Sequence, residues 1–258
     1  MRSFSRSLAV LALLAAPAQA VAPPSNLTVL ADASLMLPLA QLARDYATST
    51  GTPLTIAVKS GEDAAQQIEQ GLEAHVLLTA NQPLVAELRN RGLTDVFNAR
   101  PIVRTQLALV GSSDIMARTD FARHISLAAI LYAQSDLPIY ITPPNTHEGM
   151  RAQKLMEGKD YSDILTKRAV VLPTREAILR RLHAAPGFAL LLSTDALNDP
   201  SLKVLSIFPD EIAKPVNYEA VVLASESMDE TRRFIDYLLS NEGQQVFASF
   251  GFQAPLTP

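Results

Sequence analysis

The sequence predicts an α/β fold of two lobes, with the chain passing between the lobes twice. Short apolar runs, each of the length of a buried strand, alternate with segments of helical periodicity. This alternation is typical of parallel strands connected by helical crossovers. It occurs before Pro101 and again after it, and the 258 residues are enough for two lobes of ordinary domain size.

The first twenty residues have the three parts of a secretory signal peptide. Two arginines give a positive start, residues 8–16 form an unbroken apolar run, and Ala-Gln-Ala at 18–20 has the small-x-small form of a cleavage site. The apolar run is far shorter than the roughly 20 residues of a membrane-spanning helix. We therefore predict a signal peptide over residues 1–20 with cleavage after Ala20, and cleavage after Ala22 as the alternative.

Composition narrows the classes of partner. Without the two arginines of the predicted signal peptide, the chain has 20 Lys and Arg and 26 Asp and Glu, so its net charge is negative. This charge argues against nucleic acid or an anionic membrane as the partner. A small anion can still be held by local dipoles. The chain has no cysteine, which excludes disulfides, a lipid-modified N-terminal cysteine and Cys-based metal sites. We expect a soluble protein held in a Gram-negative periplasm by the outer membrane.

The part of the chain before Pro101 alternates strands and helices. We predict strands over residues 27–31, 53–58 and 75–79. Ser34 precedes a helix whose apolar face is spaced by four, three and four residues: Leu35, Leu39, Leu42 and Tyr46. Ser60-Gly61 opens a second helix, with Leu72 among its inward residues, and a third helix is predicted over 82–91.

The part after Pro101 repeats this alternation with longer loops. One long strand is predicted over residues 102–111, and further strands are predicted over 137–142, 170–172, 187–192, 202–207 and 216–224. The predicted helices cover 127–132, 148–156, 174–183, 229–239 and 242–250. From this order we predict that lobe one comprises residues 27–103 plus 217–258, and that lobe two comprises 104–216.

Four predicted helices begin directly after a strand or loop, at the edge of the sheet where the strands end: at Ser34, Ser60-Gly61, Glu148-Gly149 and Thr174. In open α/β folds, ligands bind at the carboxyl ends of the strands. A helix N-terminus presents unpaired backbone N–H groups and about half a positive charge, so several of them can bind an anion without Lys or Arg. Ser and Thr are also ordinary helix caps, which is the alternative interpretation.

Three stretches of the N-terminal half resemble the first lobe of periplasmic molybdate-binding proteins. They are Val-Leu-Ala-Asp-Ala-Ser-Leu at 29–35, Ser-Gly at 60–61 with Ala-Gln-Gln-Ile-Glu-Gln-Gly at 65–71, and Val-Leu-Leu-Thr-Ala-Asn at 76–81. The closing segment is also similar to that family, with Phe-Pro at 208–209, Pro-Val-Asn-Tyr at 215–218 and Phe-Ile-Asp-Tyr-Leu-Leu-Ser at 234–240. Ser-Thr-Asp-Ala at 193–196 resembles its hinge-side motif. The resemblance implies a type II periplasmic-binding fold that closes on its ligand by a hinge.

The resemblance also implies a binding site for a tetrahedral oxyanion, to which lobe one contributes two hydroxyl groups. Ser34 matches the first hydroxyl position. The second falls on Ser60 if one residue is inserted, and otherwise on Gly61, which has no hydroxyl. Which of the two occupies that position stays open in the sequence.

Lobe two of that family contributes backbone amides and a tyrosine. Glu148-Gly149 and Thr174-Arg175 fall on the two amide positions, and Leu192 falls on the tyrosine. Leu192 cannot donate a hydrogen bond, which removes a contact to a charged ligand of typically about 1.5–3 kcal/mol. A Glu148 carboxylate 4 Å from an anion would repel it by about 4 kcal/mol per unit of ligand charge. Either only the backbone of Glu148 faces the cleft, or the ligand is not molybdate.

These observations predict a binding protein rather than an enzyme. The sequence lacks the motifs of P-loop nucleotidases, serine hydrolases and zinc peptidases, and its histidines lack metal-ligand spacing. His147, beside Glu148, is a candidate for a ligand contact. We expect no cofactor and no metal, and a monomer that passes a small oxyanion such as molybdate or tungstate to an ABC permease in the inner membrane. The alternatives are a binding protein for another small anion or organic solute, a ligand-sensing subunit, and a periplasmic hydrolase.

Overall fold

The computed structural model describes residues 26–58, 61–94, 99–118, 136–158, 162–223 and 228–256. The predicted signal peptide and the helix predicted over residues 127–132 lie outside the described residues. In the described part of the chain, no helix is long and apolar enough to span a membrane.

Strands and helices alternate along the described chain. The strands are β1 (Leu27–Ala31), β2 (Leu54–Val58), β3 (Val76–Thr79), β4 (Arg100–Thr105), β5 (Leu107–Ser112), β6 (Ile139–Ile141), β7 (Ala169–Val171), β8 (Phe188–Leu192), β9 (Leu202–Ile207) and β10 (Val216–Val222). The helices are α1 (Met36–Thr50), α2 (Gly61–Glu69), α3 (Gln82–Asn90), α4 (Ser113–Arg118), α5 (His147–Glu157), α6 (Ser162–Arg168), α7 (Arg175–Ala184), α8 (Ser193–Leu197), α9 (Met228–Leu239) and α10 (Asn241–Ser249). A 3-10 turn covers Ala33–Leu35 between β1 and α1.

The first sheet has the strand order β2-β1-β3-β10-β4. β1 pairs in parallel with β2 and β3, as the alternation predicted, whereas β10 runs antiparallel to β3 and β4. Helices cover both faces. Leu39 and Leu42 of α1 are buried in one apolar cluster with residues of α9 and α10, and Ile68 of α2 packs with residues of α3 in another. The predicted inward face of α1 is therefore confirmed.

The second sheet has the order β7-β6-β8-β5-β9. β6 is parallel to β7 and β8, and β5 is antiparallel to β8 and β9. Two apolar clusters again lie on the two faces, one containing Ile115, Leu155 and Leu165, and the other containing Ile178 and Leu182. Two mixed sheets, each with helices packed on both faces, confirm the predicted α/β fold.

Two predictions about local structure are wrong. The long strand predicted over residues 102–111 is two strands in different sheets: β4 ends at Thr105, paired with Val216, and β5 begins at Leu107, paired with Leu192. Arg104, Thr105 and Gln106 interrupt the apolar residues at the point where the chain changes sheet, a polar interruption that the prediction of one strand did not take into account. Leu72 is 40% exposed rather than inward, because α2 ends at Glu69 and the chain turns away.

The two passages between the sheets lie at Gln106 and in residues 208–215. The Asp210 carboxylate joins them, since it accepts hydrogen bonds from Arg104 Nη1 at 3.1 Å and from Gln106 Nε2 at 2.7 Å. The lobe boundaries predicted at 103/104 and 216/217 lie beside these passages. The division into lobes remains a prediction.

Candidate functional site

A cleft of about 370 Å³ lies between the two sheets. Its lining residues follow strands or begin helices, which is where ligands bind in open α/β folds. The first sheet and its connections supply Asp32, Ala33, Ser34, Val58 and Asn81, and the second supplies Asn145, Thr146, His147, Glu148, Arg175 and Glu176.

Ser34 lies in the 3-10 turn after β1, and its hydroxyl is 2.7 Å from the hydroxyl of Tyr218, where either group can donate. Tyr218 is fully buried, and burial raises the pKa of its phenol well above the ordinary value. The hydrogen bond to Ser34 acts against this rise in pKa, and the nearby charges of Glu148, Asp32 and Asp195 add to it. The phenol therefore keeps its proton at neutral pH.

The expectation that Ser34 caps a helix is wrong. Asp32 occupies the cap position of the 3-10 turn, Leu35 occupies that of α1, and neither side chain makes a capping hydrogen bond. The extra turn moves Ser34 away from the start of α1. Its hydroxyl is therefore free to pair with Tyr218 and to line the cleft.

Asp32 joins the ends of two neighbouring strands. Its carboxylate accepts hydrogen bonds from the Thr79 hydroxyl at 3.1 Å and from the backbone N–H of Ala80 at 2.8 Å. Across the cleft, His147 Nε2 lies 3.7 Å from Asp32 Oδ2, and the two form an ion pair if the imidazole is protonated. This is a contact between the two sides of the cleft.

The start of α5 is shaped by Thr146 and Gly149. The Thr146 hydroxyl accepts a hydrogen bond from the Gly149 N–H at 3.0 Å, so this amide already has a partner inside the protein. A Cβ atom on Gly149 would lie 2.0 Å from the Pro143 carbonyl oxygen, which leaves room for glycine alone. First-turn N–H groups have no partner within a helix, so those of His147 and Glu148 are the ones available to a ligand.

The Glu148 side chain, and not only its backbone, faces the interior of the site. Glu148 is half-buried, lines the cleft, and its negative charge raises the pKa of both Tyr218 and Asp195. The same charge is felt by the guanidinium groups of Arg151 and Arg175.

The start of α7 resembles that of α5 in its capping. The Thr174 hydroxyl accepts a hydrogen bond from the Ala177 N–H at 3.2 Å. Partial burial acts to raise the pKa of Glu176, but hydrogen bonds from its own N–H and from Thr174, together with the charge of Arg175, leave that pKa lowered. Thr174 thus serves as a cap, and Arg175 and Glu176, the first two residues of α7, line the cleft.

Asp195 is the buried partner of Arg175. Arg175 Nη1 lies 2.9 Å from Asp195 Oδ1, and Nη2 lies 3.2 Å from Glu176 Oε1. Burial, together with the nearby negative charge of Glu148, raises the pKa of Asp195 to about 7 against the opposing charge of Arg175. Asp195 Oδ2 and Arg175 Nε have no hydrogen-bond partner among the described residues.

The remaining predicted site residues lie elsewhere or cannot be placed. Leu192 ends β8 and is only 1% exposed, packed in the apolar cluster that contains Leu35 and Tyr218, and it is not among the residues lining the cleft. Ser60 lies outside the described residues, and Gly61 is the first residue of α2.

Sequence reasoning missed several lining residues. Asp32 and Asn81 could have been found, because each comes just after a strand that ends at the ligand-binding edge. Thr146 is a helix-cap residue type directly before α5. No local signal distinguishes Asp195, whose role depends on burial and on Arg175.

Comparison with known proteins is consistent with this geometry. A family model described as "Bacterial extracellular solute-binding protein" matches residues 27–253. The "Molybdate-binding protein ModA" of Haemophilus influenzae is 25% identical over 236 residues, which cover 90% of this chain and 92% of the relative. The "Molybdate-binding protein ModA" of Escherichia coli is 22% identical over 238 residues, which cover 90% of this chain and 91% of the relative.

Solved structures share the fold at low sequence identity. The Azotobacter vinelandii periplasmic molybdate-binding protein superposes with a TM-score of 0.69 at 17% identity, covering 89% of this chain and 100% of that chain. The sulfate-binding protein SubI of Mycobacterium tuberculosis gives 0.69 at 13% identity, covering 89% and 87%. L-Phospholactate-bound PEB3 gives 0.67 at 14% identity, covering 89% and 100%.

Proposed function

Because the chain belongs to the family of bacterial extracellular solute-binding proteins, we propose that it captures a small oxyanion, such as molybdate or tungstate, for an ABC importer. The observation that carries the proposal is the cleft. Helix starts on one side and the Ser34 hydroxyl on the other face one cavity between two sheets. Relatives named as molybdate-binding proteins, which match along nine tenths of the chain, support the choice of ligand class.

The ligand-holding groups are hydrogen-bond donors from both sides. The first-turn N–H groups of His147 and Glu148 carry the positive end of the α5 dipole, and the Arg175 guanidinium, paired with Asp195 and Glu176, lies at the start of α7. Ser34 donates from the opposite wall. Hydrogen bonds to a charged ligand contribute about 1.5–3 kcal/mol each.

Capture occurs by closure of two lobes, residues 27–103 plus 217–258 and residues 104–216. The two passages at Gln106 and 208–215 form the hinge, and Asp210 keeps them together as the lobes move. The signal peptide over residues 1–20 exports the protein to the periplasm, where it acts as a monomer and delivers the solute to an inner-membrane permease.

The decisive experiment identifies the bound solute. Protein purified from the periplasm is analysed by native mass spectrometry and elemental analysis, and calorimetry measures affinity for molybdate, tungstate, sulfate and phosphate. Tight binding of an oxyanion, with a smaller radius of gyration by X-ray scattering, is the expected result. An unchanged scattering profile at saturating ligand would contradict capture by closure, and indifference to every oxyanion would contradict the ligand class.

A further inference from the structure

The charged side chains that line the cleft are mostly acidic. The described lining contains three carboxylates, those of Asp32, Glu148 and Glu176, and one guanidinium, that of Arg175. The guanidinium is already paired with Glu176 and with the buried Asp195. A bare dianion would therefore meet an excess of negative charge on the protein.

Glu148 is the carboxylate with acceptor capacity to spare. Asp32 accepts from Thr79 and Ala80, and Glu176 accepts from Thr174 and its own backbone. Within the part of the chain that the structure describes, Glu148 has no hydrogen-bond donor. Arg151 and Arg175 are nearby positive charges, and the unused acceptor positions of Glu148 can take a hydrogen bond from a cationic group of the ligand.

The size of the cleft is a second and independent observation. A volume of about 370 Å³ lies within the range of pockets that hold small organic ligands. A tetrahedral oxyanion alone would leave much of this space to water. The space beside Ser34, His147 and Glu148 can hold an organic arm of a few atoms.

We propose, on the basis of the oxyanion-binding function above, that the preferred solute is a small organic zwitterion, with an oxyanion group and an ammonium group. The oxyanion group lies at the starts of α5 and α7 with Ser34. The ammonium group pairs with Glu148. Glu148 is thus a specificity-determining residue that favours zwitterions over bare oxyanions.

Calorimetry with matched probes tests this inference. 2-Aminoethylphosphonate is compared with ethylphosphonate, and taurine with ethanesulfonate, so that the members of each pair differ only by the amine. Molybdate, which is only an anion, and propylamine, which is only a cation, are the reference ligands. The wild-type protein should bind at least one zwitterion about tenfold or more tightly than its amine-free partner.

Glu148→Gln should abolish that preference, by weakening zwitterion binding and strengthening binding of ethylphosphonate and molybdate. Glu157→Gln is the matched control, because Glu157 is exposed at the far end of the same helix. Thermal melting of both variants verifies that they are folded. A preference that survives in Glu148→Gln would overturn the role of Glu148.

The results also separate this inference from the proposed function. If molybdate or ethylphosphonate binds as tightly as the zwitterions, oxyanion capture stands and the zwitterion inference falls. If propylamine binds as tightly as the zwitterions, both the inference and the oxyanion class are wrong. If no probe of either kind binds, both are overturned and only the family assignment stands.

Discussion

The two walls of the cleft use different chemistry. On the wall of the first sheet, Ser34 and Asp32 are held by hydrogen bonds inside the protein, to Tyr218 and to the end of β3. On the wall of the second sheet, Glu148 and Arg175 supply an acidic and a basic side chain, and the Asp195–Arg175 pair retains buried atoms with no hydrogen-bond partner among the described residues. The difference indicates that internal hydrogen bonds fix the groups of the first wall, whereas part of the hydrogen-bonding capacity of the second wall is unused.

The walls also differ in how tightly their backbones are packed. At the start of α5, the position of Gly149 allows no side chain, because a Cβ would lie 2.0 Å from a carbonyl oxygen. The 3-10 turn that carries Ser34 is less crowded, since Ala33 in the same turn is exposed. A side chain at Gly149 should therefore disturb the fold, whereas substitution of Ser34 should also disturb ligand contacts.

The largest expected effect is that of Gly149→Ala. The added methyl group must displace the Pro143 backbone or the first turn of α5, and overpacking of this kind costs about 1–3 kcal/mol or more of unfolding free energy. Urea denaturation measures this loss. Gly158→Ala, after the other end of α5, is the matched control, because its Cβ would meet the nearest atom at 3.4 Å. Equal stability of the two variants would contradict the crowding argument.

The next effect is that of Ser34→Ala on affinity. Loss of a hydrogen bond to a charged ligand should weaken binding by about 1.5–3 kcal/mol in calorimetry. The Tyr218 phenol also loses its partner, which should lower stability by about 1–3 kcal/mol. No loss of a helix cap is expected, since Ser34 caps none.

Ser49→Ala on α1 is the control for Ser34→Ala, because the Ser49 hydroxyl bonds only the Tyr46 carbonyl in its own helix. This control should leave affinity unchanged. If Ser34→Ala loses stability and keeps full affinity, the Ser34 hydroxyl does not contact the ligand.

Tyr218→Phe should have a smaller effect. The ring keeps its edge-on packing against Phe252, with ring centroids 5.9 Å apart, and only the hydroxyl that positions Ser34 is lost. Affinity should fall by about 0.5–1.5 kcal/mol, the usual net contribution of one hydrogen bond. An affinity loss as large as that of Ser34→Ala would mean that Tyr218 contacts the ligand itself.

Asp195→Asn should have the smallest effect on stability when the pH is low. Burial raises the pKa of Asp195 from 3.8 to about 7, so the folded state binds a proton that the unfolded state releases between these values. Stability from this group is present below pH 3.8 and is lost as the pH rises toward 7. Melting temperatures of wild type and Asp195→Asn should be similar below pH 3.8, and the variant should be the more stable of the two at pH 8.

Asp199→Asn is the control, because the pKa of Asp199 is shifted in the opposite direction from that of Asp195. Slight burial acts to raise the pKa of Asp199, but hydrogen bonds from Ser201 and His183 leave it lowered. Its contribution to stability is therefore present above its ordinary pKa and is lost as the pH falls through the folded value. If the melting temperatures of Asp195→Asn and Asp199→Asn, each relative to wild type, change with pH in the same direction, the assignment of the raised pKa to Asp195 is refuted.

Local pattern alone determined much of the architecture. The strands predicted over residues 27–31 and 202–207 agree at both ends with β1 and β9. The four-three-four spacing of α1 identified its buried face, since a helix brings such positions onto one side. The resemblance at residues 29–35 led to Ser34, which lines the cleft.

Tertiary structure alone decided the partners of those elements. The segment after Pro101 divides at Gln106, because its two halves pair with strands that lie far apart in the sequence. Ser34 finds Tyr218 across 184 residues, and no local pattern carries that information. The inward direction of the Glu148 carboxylate and the burial of Leu192 likewise arise only when the two sheets meet. Spacing along the chain determines which face of a helix or strand is buried, whereas long-range packing determines what that face touches.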